Sequence, residues 1–275
     1  MVVTVAIVLQ MVACSTVDDN TGVVVEDTIL TIDLGKSRTS LGVQQDDGHI
    51  ALSWSEGDCI AANGQCSNEA QIEADRKGVA HFGFVESLTY PCAILYPASF
   101  YKSATTVTLP AVQPFSKEGM ATNTLPMASY VVNGGDAPIM RHLTGVVHLR
   151  IKASSEEGEQ YRSLLKVEFI GGDAEQVCGD FEIDYENSTL SPLSSKERKV
   201  AVRMDSLLLT SETIDVYIVV PAREYSKGYT IRVTDVEGWF MDKKKLSAQT
   251  IERGEVVTMP EFEFKPDRFS LDVGI

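Results

Sequence analysis

The chain is expected to fold as an all-β protein with two β-sandwich domains in tandem behind an N-terminal targeting segment. Three observations lead there. Short apolar runs with period-2 alternation recur throughout and are rich in Val, Ile and Thr, residues that suit a pleated, half-buried surface. Gly, Pro, Asn and Asp punctuate these runs, and no long stretch shows a 3.6-residue period. At 275 residues the chain is long enough for two ordinary domains of roughly 100 to 150 residues each.

Residues 2–13 are apolar except for Thr4 and Gln10. Such a run is too short to cross a bilayer, which takes about 20 residues, but it suits the apolar region of a signal peptide. Residues 1–13 are therefore read as the signal. The ending Met11-Val12-Ala13-Cys14 resembles a bacterial lipobox, in which a small residue precedes a cysteine that is lipidated and becomes the first mature residue. Cys14 is then the lipidation site and 14–27 a tether. Within it Ser15 to Asn20, with Asp18 and Asp19, resembles the acidic tract that directs Bacteroidetes lipoproteins to the cell surface.

In the first mature element, Leu30, Ile32 and Leu34 alternate with Thr31 and Asp33, so Thr28 to Leu34 reads as a half-buried strand. Behind it Lys36 and Arg38 stand in a small-residue loop, GKSRTS, a composition open to proteolysis. A cut after Arg38 would free the first strand. Leu52, Trp54, Ile60 and Ala62 then flank Glu56-Gly57-Asp58, read as a polar turn between two short strands with Trp54 on its rim.

Gln71 to Ala74, Val79 to Phe84 and Cys92 to Tyr96 read as further strands of a meander or Greek key. Leu109 to Met127 carries three prolines, which marks a surface connection or an edge segment. After the strand Ser129 to Val132, the turn Asn133-Gly134-Gly135-Asp136 places the end of the first domain, 28–137. The second, 138–275, opens on Thr144 to Lys152, where Val147, Leu149 and Ile151 alternate with His148, Arg150 and Lys152. Strands are expected at Leu165 to Ile170, Phe181 to Tyr185, Lys199 to Arg203, Ile214 to Val220, Tyr229 to Thr234, Trp239 to Lys244 and Glu255 to Met259, a number and spacing that suit a sandwich. Glu156 to Leu165 is left as a turn or two of helix. At the end Phe269, Leu271, Val273 and Ile275 alternate with Ser270, Asp272 and Gly274. They form a one-faced strand that can complete its own domain or be donated to another subunit.

The formal charge of -15 argues against a nucleic-acid partner, since binding a polyanion takes Lys and Arg to neutralise phosphates. Gly35-Lys36-Ser37 ends like a P-loop, but Leu30 stands where the first glycine is required. There is no HExxH or GxSxG, and His49, His81, His142 and His148 are scattered. No catalytic residue, metal or cofactor is expected. With Cys14 lipidated, Cys59, Cys66, Cys92 and Cys178 allow zero, one or two disulfides. Trp54 and Trp239 read as core or rim packing.

The lipobox and the acidic tract are followed in one order by six further pieces: Trp54-x-x-Gly57-Asp58-x-Ile60, AILYP from Ala93, LPAVQPF from Leu109, MRHLTGVVHLRI from Met140, YIVVPAREYSKGYTIRV from Tyr217, and IERGE from Ile251. Together they resemble the fimbrillin-like family of Bacteroidetes. The resemblance implies a lipoprotein precursor with two transthyretin-like β-sandwich domains, anchored by lipid in the outer membrane at the cell surface. Its partners would be other fimbrial subunits and host or bacterial surface ligands. It further implies that an arginine-specific protease removes the first strand and a neighbouring subunit's strand replaces it. The alternative is a lipid-anchored glycan-binding module, which needs two or more exposed aromatics on one face. A secreted hydrolase would need a clustered acid and base, and the sequence displays neither feature.

Overall fold

The computed structural model describes residues 28–36, 53–154, 161–173, 175–194 and 196–270. The signal, Cys14 and its tether, Arg38, and Leu271, Val273 and Ile275 lie outside the described residues. Among the described residues the regular structure is β-strand, apart from single 3-10 turns at Leu34–Lys36 and Ala98–Phe100. The chain is all-β, as its alternating pattern predicts.

Among the described residues Thr28–Asp33 is an edge strand. It pairs antiparallel with Arg76–Phe84, from Thr28 opposite Phe84 to Asp33 opposite Val79, and Gln71–Glu73 completes that three-stranded sheet. Leu30, Ile32 and Leu34 are buried while Ile29 and Thr31 face out. Opposite lies a five-stranded sheet in which Cys92–Tyr96 runs between Ala61–Ala62 and Met127–Val131. The two sheets share one core, where Leu30, Ile32, Phe82 and Phe84 meet Ile94, Tyr96 and Met127.

All five residues of Cys92–Tyr96 are buried, because a second core lies on the strand's other face. There Leu95 and Ala128 meet Val107, Leu109, Phe181 and Ile183. The elements supplying those residues pair directly, Thr106–Leu109 running antiparallel to Gly179–Asp184. Asp180 is bound by Lys102, and it accepts a 2.6 Å hydrogen bond from Thr108 Oγ1. Segments from either side of residue 137 are thus joined by a strand ladder and an ion pair.

The largest core lies further along. Thr144–Ala153 pairs antiparallel with Ile214–Pro221 and, on its other edge, parallel with Val256–Thr258 and Phe262–Phe264. It sends Val147, Leu149 and Ile151 into a core with Val167, Phe169, Ile231 and Val233 of a six-stranded sheet. In that sheet Ser163–Gly171 carries a bulge: Leu164 pairs with Asp235 but Lys166 with Thr234, leaving Leu165 unmatched. The extra residue shifts the parity, so Leu164 and Val167 both point inward. Tyr225 is wholly buried against Phe169, and its hydroxyl donates to the Pro221 carbonyl at 3.0 Å. An unpaired phenol there would be costly.

Several expectations need correction. Trp54 is not on a rim. It is 4% exposed, edge-on to Phe82 and Tyr96 with ring centroids at 4.9 and 5.2 Å. The turn at Glu56-Gly57-Asp58 is real, with Gly57 at φ +82, but residues 53–60 are not strand, and only Ala61–Ala62 behind them pairs. Ser163 to Leu165 belong to a strand rather than a helical turn. The proline-rich segment is an edge element, as allowed: Val112–Pro114 lies parallel to Ala201–Arg203 at the border of the six-stranded sheet. The buried Gln113 side chain there accepts from Val219 N at 2.9 Å and donates to Val219 O at 2.7 Å, standing in for a missing strand beside Ile214–Pro221. Cys59, Cys92 and Cys178 are free thiols, so no two of the four cysteines Cys59, Cys66, Cys92 and Cys178 are bonded to each other. Burial pushes the Cys178 thiol up to about 11.

Candidate functional site

Two places are candidates: the seat of the first strand, and a groove beside the second core. The seat is built from side chains distant in sequence. Phe82 and Phe84 come from the paired strand, Trp54 from the turn segment, and Ile94 and Tyr96 from the facing sheet. Polar contacts to the strand are few. Trp54 Nε1 reaches the Ile32 carbonyl at 3.4 Å, Leu88 N donates to Thr28 Oγ1 at 3.3 Å, and Thr31 Oγ1 lies 2.8 Å from His81 Nδ1. His81 is thereby a structural histidine, as its position on a strand suggests.

Beneath the seat, Tyr96 donates its hydroxyl to Asp58 Oδ1 at 2.9 Å, and Asp58 Oδ2 accepts from Ser55 N at 2.8 Å. Burial pushes the Asp58 carboxyl above the ordinary range despite these bonds, and burial likewise raises the Tyr96 phenol. The pair fixes the turn that carries Trp54 toward the strand.

The groove encloses about 750 Å³ and opens to solvent where the second core ends. Along Met127–Val131 the parity places Ala128 in that core and Tyr130, half exposed, at its mouth. Tyr185, one residue beyond Gly179–Asp184, meets it with ring centroids 5.4 Å apart and planes tilted by 41°. The Tyr185 hydroxyl donates to the Ala104 carbonyl at 2.9 Å, and burial holds this phenol well above its ordinary range, so it stays protonated. Asp136, Arg141 and Glu186 line the same groove. No local pattern announces this pairing, because Tyr130 on its strand and Tyr185 in the turn after Gly179–Asp184 lie far apart in the chain. The outward parity of Tyr130 within MASYV is a local signal for that one ring.

Of the candidate donor run, Phe269 and Ser270 are described, and Phe269 belongs to the short strand Arg268–Phe269. It pairs with Trp239–Phe240 at the outer edge of the six-stranded sheet, with Phe269 half exposed against Trp239. Arg268 Nη1 donates to Asp242 Oδ2 at 2.8 Å, and Asp242 also takes a two-pronged bond from Arg232 at 2.8 and 3.0 Å. The Arg232 hydrogen bonds hold the Asp242 carboxyl below its ordinary 3.8. A lowered folded-state value contributes stability above the unfolded pKa, and that contribution is lost as pH falls through the folded value. Asp242→Asn is therefore expected to cost about 1.5 to 3 kcal/mol at neutral pH. In urea titrations its deficit from the parent should shrink as pH falls below the ordinary carboxylate range. A deficit unchanged across that fall would contradict the assignment.

No protein-family model matches the chain, and no curated protein matches it. Solved structures do resemble it. A candidate cell adhesion protein from Bacteroides uniformis superposes with a TM-score of 0.50 at 12% identity, covering 86% of this chain and 93% of that one. Another from Bacteroides ovatus gives 0.46 at 10% identity, covering 83% and 94%. The C-terminally truncated tip fimbrial protein Mfa3 from Porphyromonas gingivalis gives 0.28 at 13%, covering 78% and 80%. The first likeness shows a shared fold. At such identity it shows the fold alone.

Proposed function

We propose that this chain is a cell-surface adhesion protein of the fimbrial type. It is a lipoprotein held in the outer membrane through Cys14, with β-sandwich domains at 28–137 and 138–275 bridged by the reach of 106–114 across the division. Cleavage after Arg38 releases Thr28–Asp33, and a strand from a neighbouring subunit takes its seat, with Phe269, Leu271, Val273 and Ile275 as the candidate donor. The fold shared with a candidate cell adhesion protein supports the surface role.

The observation that carries the reading is the first strand itself. Among the described residues it is an edge strand with a single strand partner, and it fills the core with Leu30 and Ile32, followed by Leu34. Burying those three side chains is worth on the order of 4 to 9 kcal/mol before ordering costs, which a donated strand of like period would recover. The test compares the full chain with Arg38→Ala under an arginine-specific protease. The parent is expected to start at Thr39 and run as denaturant-resistant ladders, while the variant stays monomeric. Cleavage at Arg38 without ladders, or ladders from both proteins, defeats the reading.

A further inference from the structure

We propose that the groove beside Tyr130 and Tyr185 binds a neutral carbohydrate, with hexose or N-acetylhexosamine rings stacked on the two phenol faces. The inference needs no cleavage or assembly, so it stands apart from the fimbrial reading.

The two rings meet with centroids 5.4 Å apart and planes tilted by 41° at the groove. Tyr185 is fixed by its bond to the Ala104 carbonyl, and Tyr130 presents a half-exposed ring. A pyranose offers a C–H face to aromatic rings and hydroxyls around its rim, so its ideal partner combines aromatic surface with polar groups at the edges. The groove supplies both. The Arg141 and Glu186 side chains line it and, among the described residues, have no hydrogen-bonding or ionic partner. Sugar hydroxyls both donate and accept, so they satisfy a carboxylate and a guanidinium alike. An apolar peptide in the same place would bury these groups unpaired, at a cost.

Charge narrows the class. Asp136 and Glu186 set two carboxylates against the one guanidinium of Arg141, on a chain of net charge -15. Sialylated or sulfated sugars are therefore disfavoured. A volume near 750 Å³ falls within the usual range for small-molecule sites, roughly 300 to 1,000 Å³, and leaves room for more than one sugar ring.

The test screens the full chain against an array of neutral, sialylated and sulfated oligosaccharides and titrates the strongest neutral ligand by calorimetry. Neutral oligosaccharides are expected to be retained. Tyr130→Ala should weaken binding about tenfold, whereas Tyr130→Phe, which keeps the ring, should stay within about twofold. Tyr130 is the residue to vary because Tyr185 also packs against the core; matching melting curves for both variants establish that the fold is intact. Arg38→Ala should bind like the parent, which separates this result from the fate of the fimbrial reading. Retention of acidic glycans alone, no retention at all, or unchanged affinity in Tyr130→Ala would overturn the proposal.

Discussion

Trp54→Ala is expected to lower the unfolding free energy by about 3 to 5 kcal/mol, the usual cost of truncating a large buried aromatic. The indole stands edge-on to both Phe82 and Tyr96, so its removal opens a cavity between the two sheets and breaks two favourable ring contacts. It also strips the Ile32 carbonyl of its indole donor. The loss should therefore extend to the first strand, with amide exchange over 28–33 accelerating more than exchange over 144–153. Trp54→Phe, which keeps most of the ring surface, should cost less. Urea unfolding checks the magnitude, and a loss under about 1 kcal/mol would mean that the site relaxes around the hole.

Gly228→Ala is expected to be at least as severe. The residue has φ +67, and an added Cβ would lie 1.8 Å from the Lys245 carbonyl oxygen. That oxygen belongs to backbone in the next strand of the sheet, so no rotamer change relieves the clash. The neighbouring backbone is committed as well: Gly228 N donates to Tyr225 O, and its carbonyl accepts from Gly172 N. A loss on the order of 4 kcal/mol or more follows, enough to leave little folded protein. Gly57→Ala is the control, because φ is +82 but nothing lies within 4 Å of the added atom. It should cost only the left-handed backbone penalty, about 1 to 2 kcal/mol. Equal melting temperatures for the two variants would contradict this account.

Elements with a complete local pattern were the legible ones. Thr28–Asp33 and Thr144–Ala153 announce themselves because side-chain parity is a property of consecutive residues, and Cys92–Tyr96 because a short continuous apolar run bounded by prolines suits a strand buried on both faces. Strands such as Thr189–Pro192, Gln249–Ile251 and Phe262–Phe264 were missed, being three or four residues long and defined by their partners. Phe262–Phe264 is strand because Ile151–Ala153 offers it an edge. Gln113 imitates backbone with a side chain, which no periodicity encodes. The misplacement of Trp54 has the same root, since whether an aromatic beside a turn faces in or out depends on Phe82 and Tyr96 closing over it. The groove was invisible for a related reason: Tyr130 and Tyr185 become neighbours through the pairing of Thr106–Leu109 with Gly179–Asp184 and the core that packs over it.

The directions of the strand pairings also determine how the molecule responds to mechanical tension. Thr28 lies opposite Phe84, so a pull arriving before residue 28 and leaving after residue 84 acts at one end of an antiparallel pair. Such a pair unzips one bond at a time and yields to small forces. Thr144–Ala153 is different, because its neighbours Val256–Thr258 and Phe262–Phe264 run parallel to it. A pull entering at residue 144 and leaving at residue 264 drags those strands past each other in shear, and every bond of the ladder must give together. Under stretch the first strand peels away while the later sheet resists, so tension itself would select which part of the molecule opens.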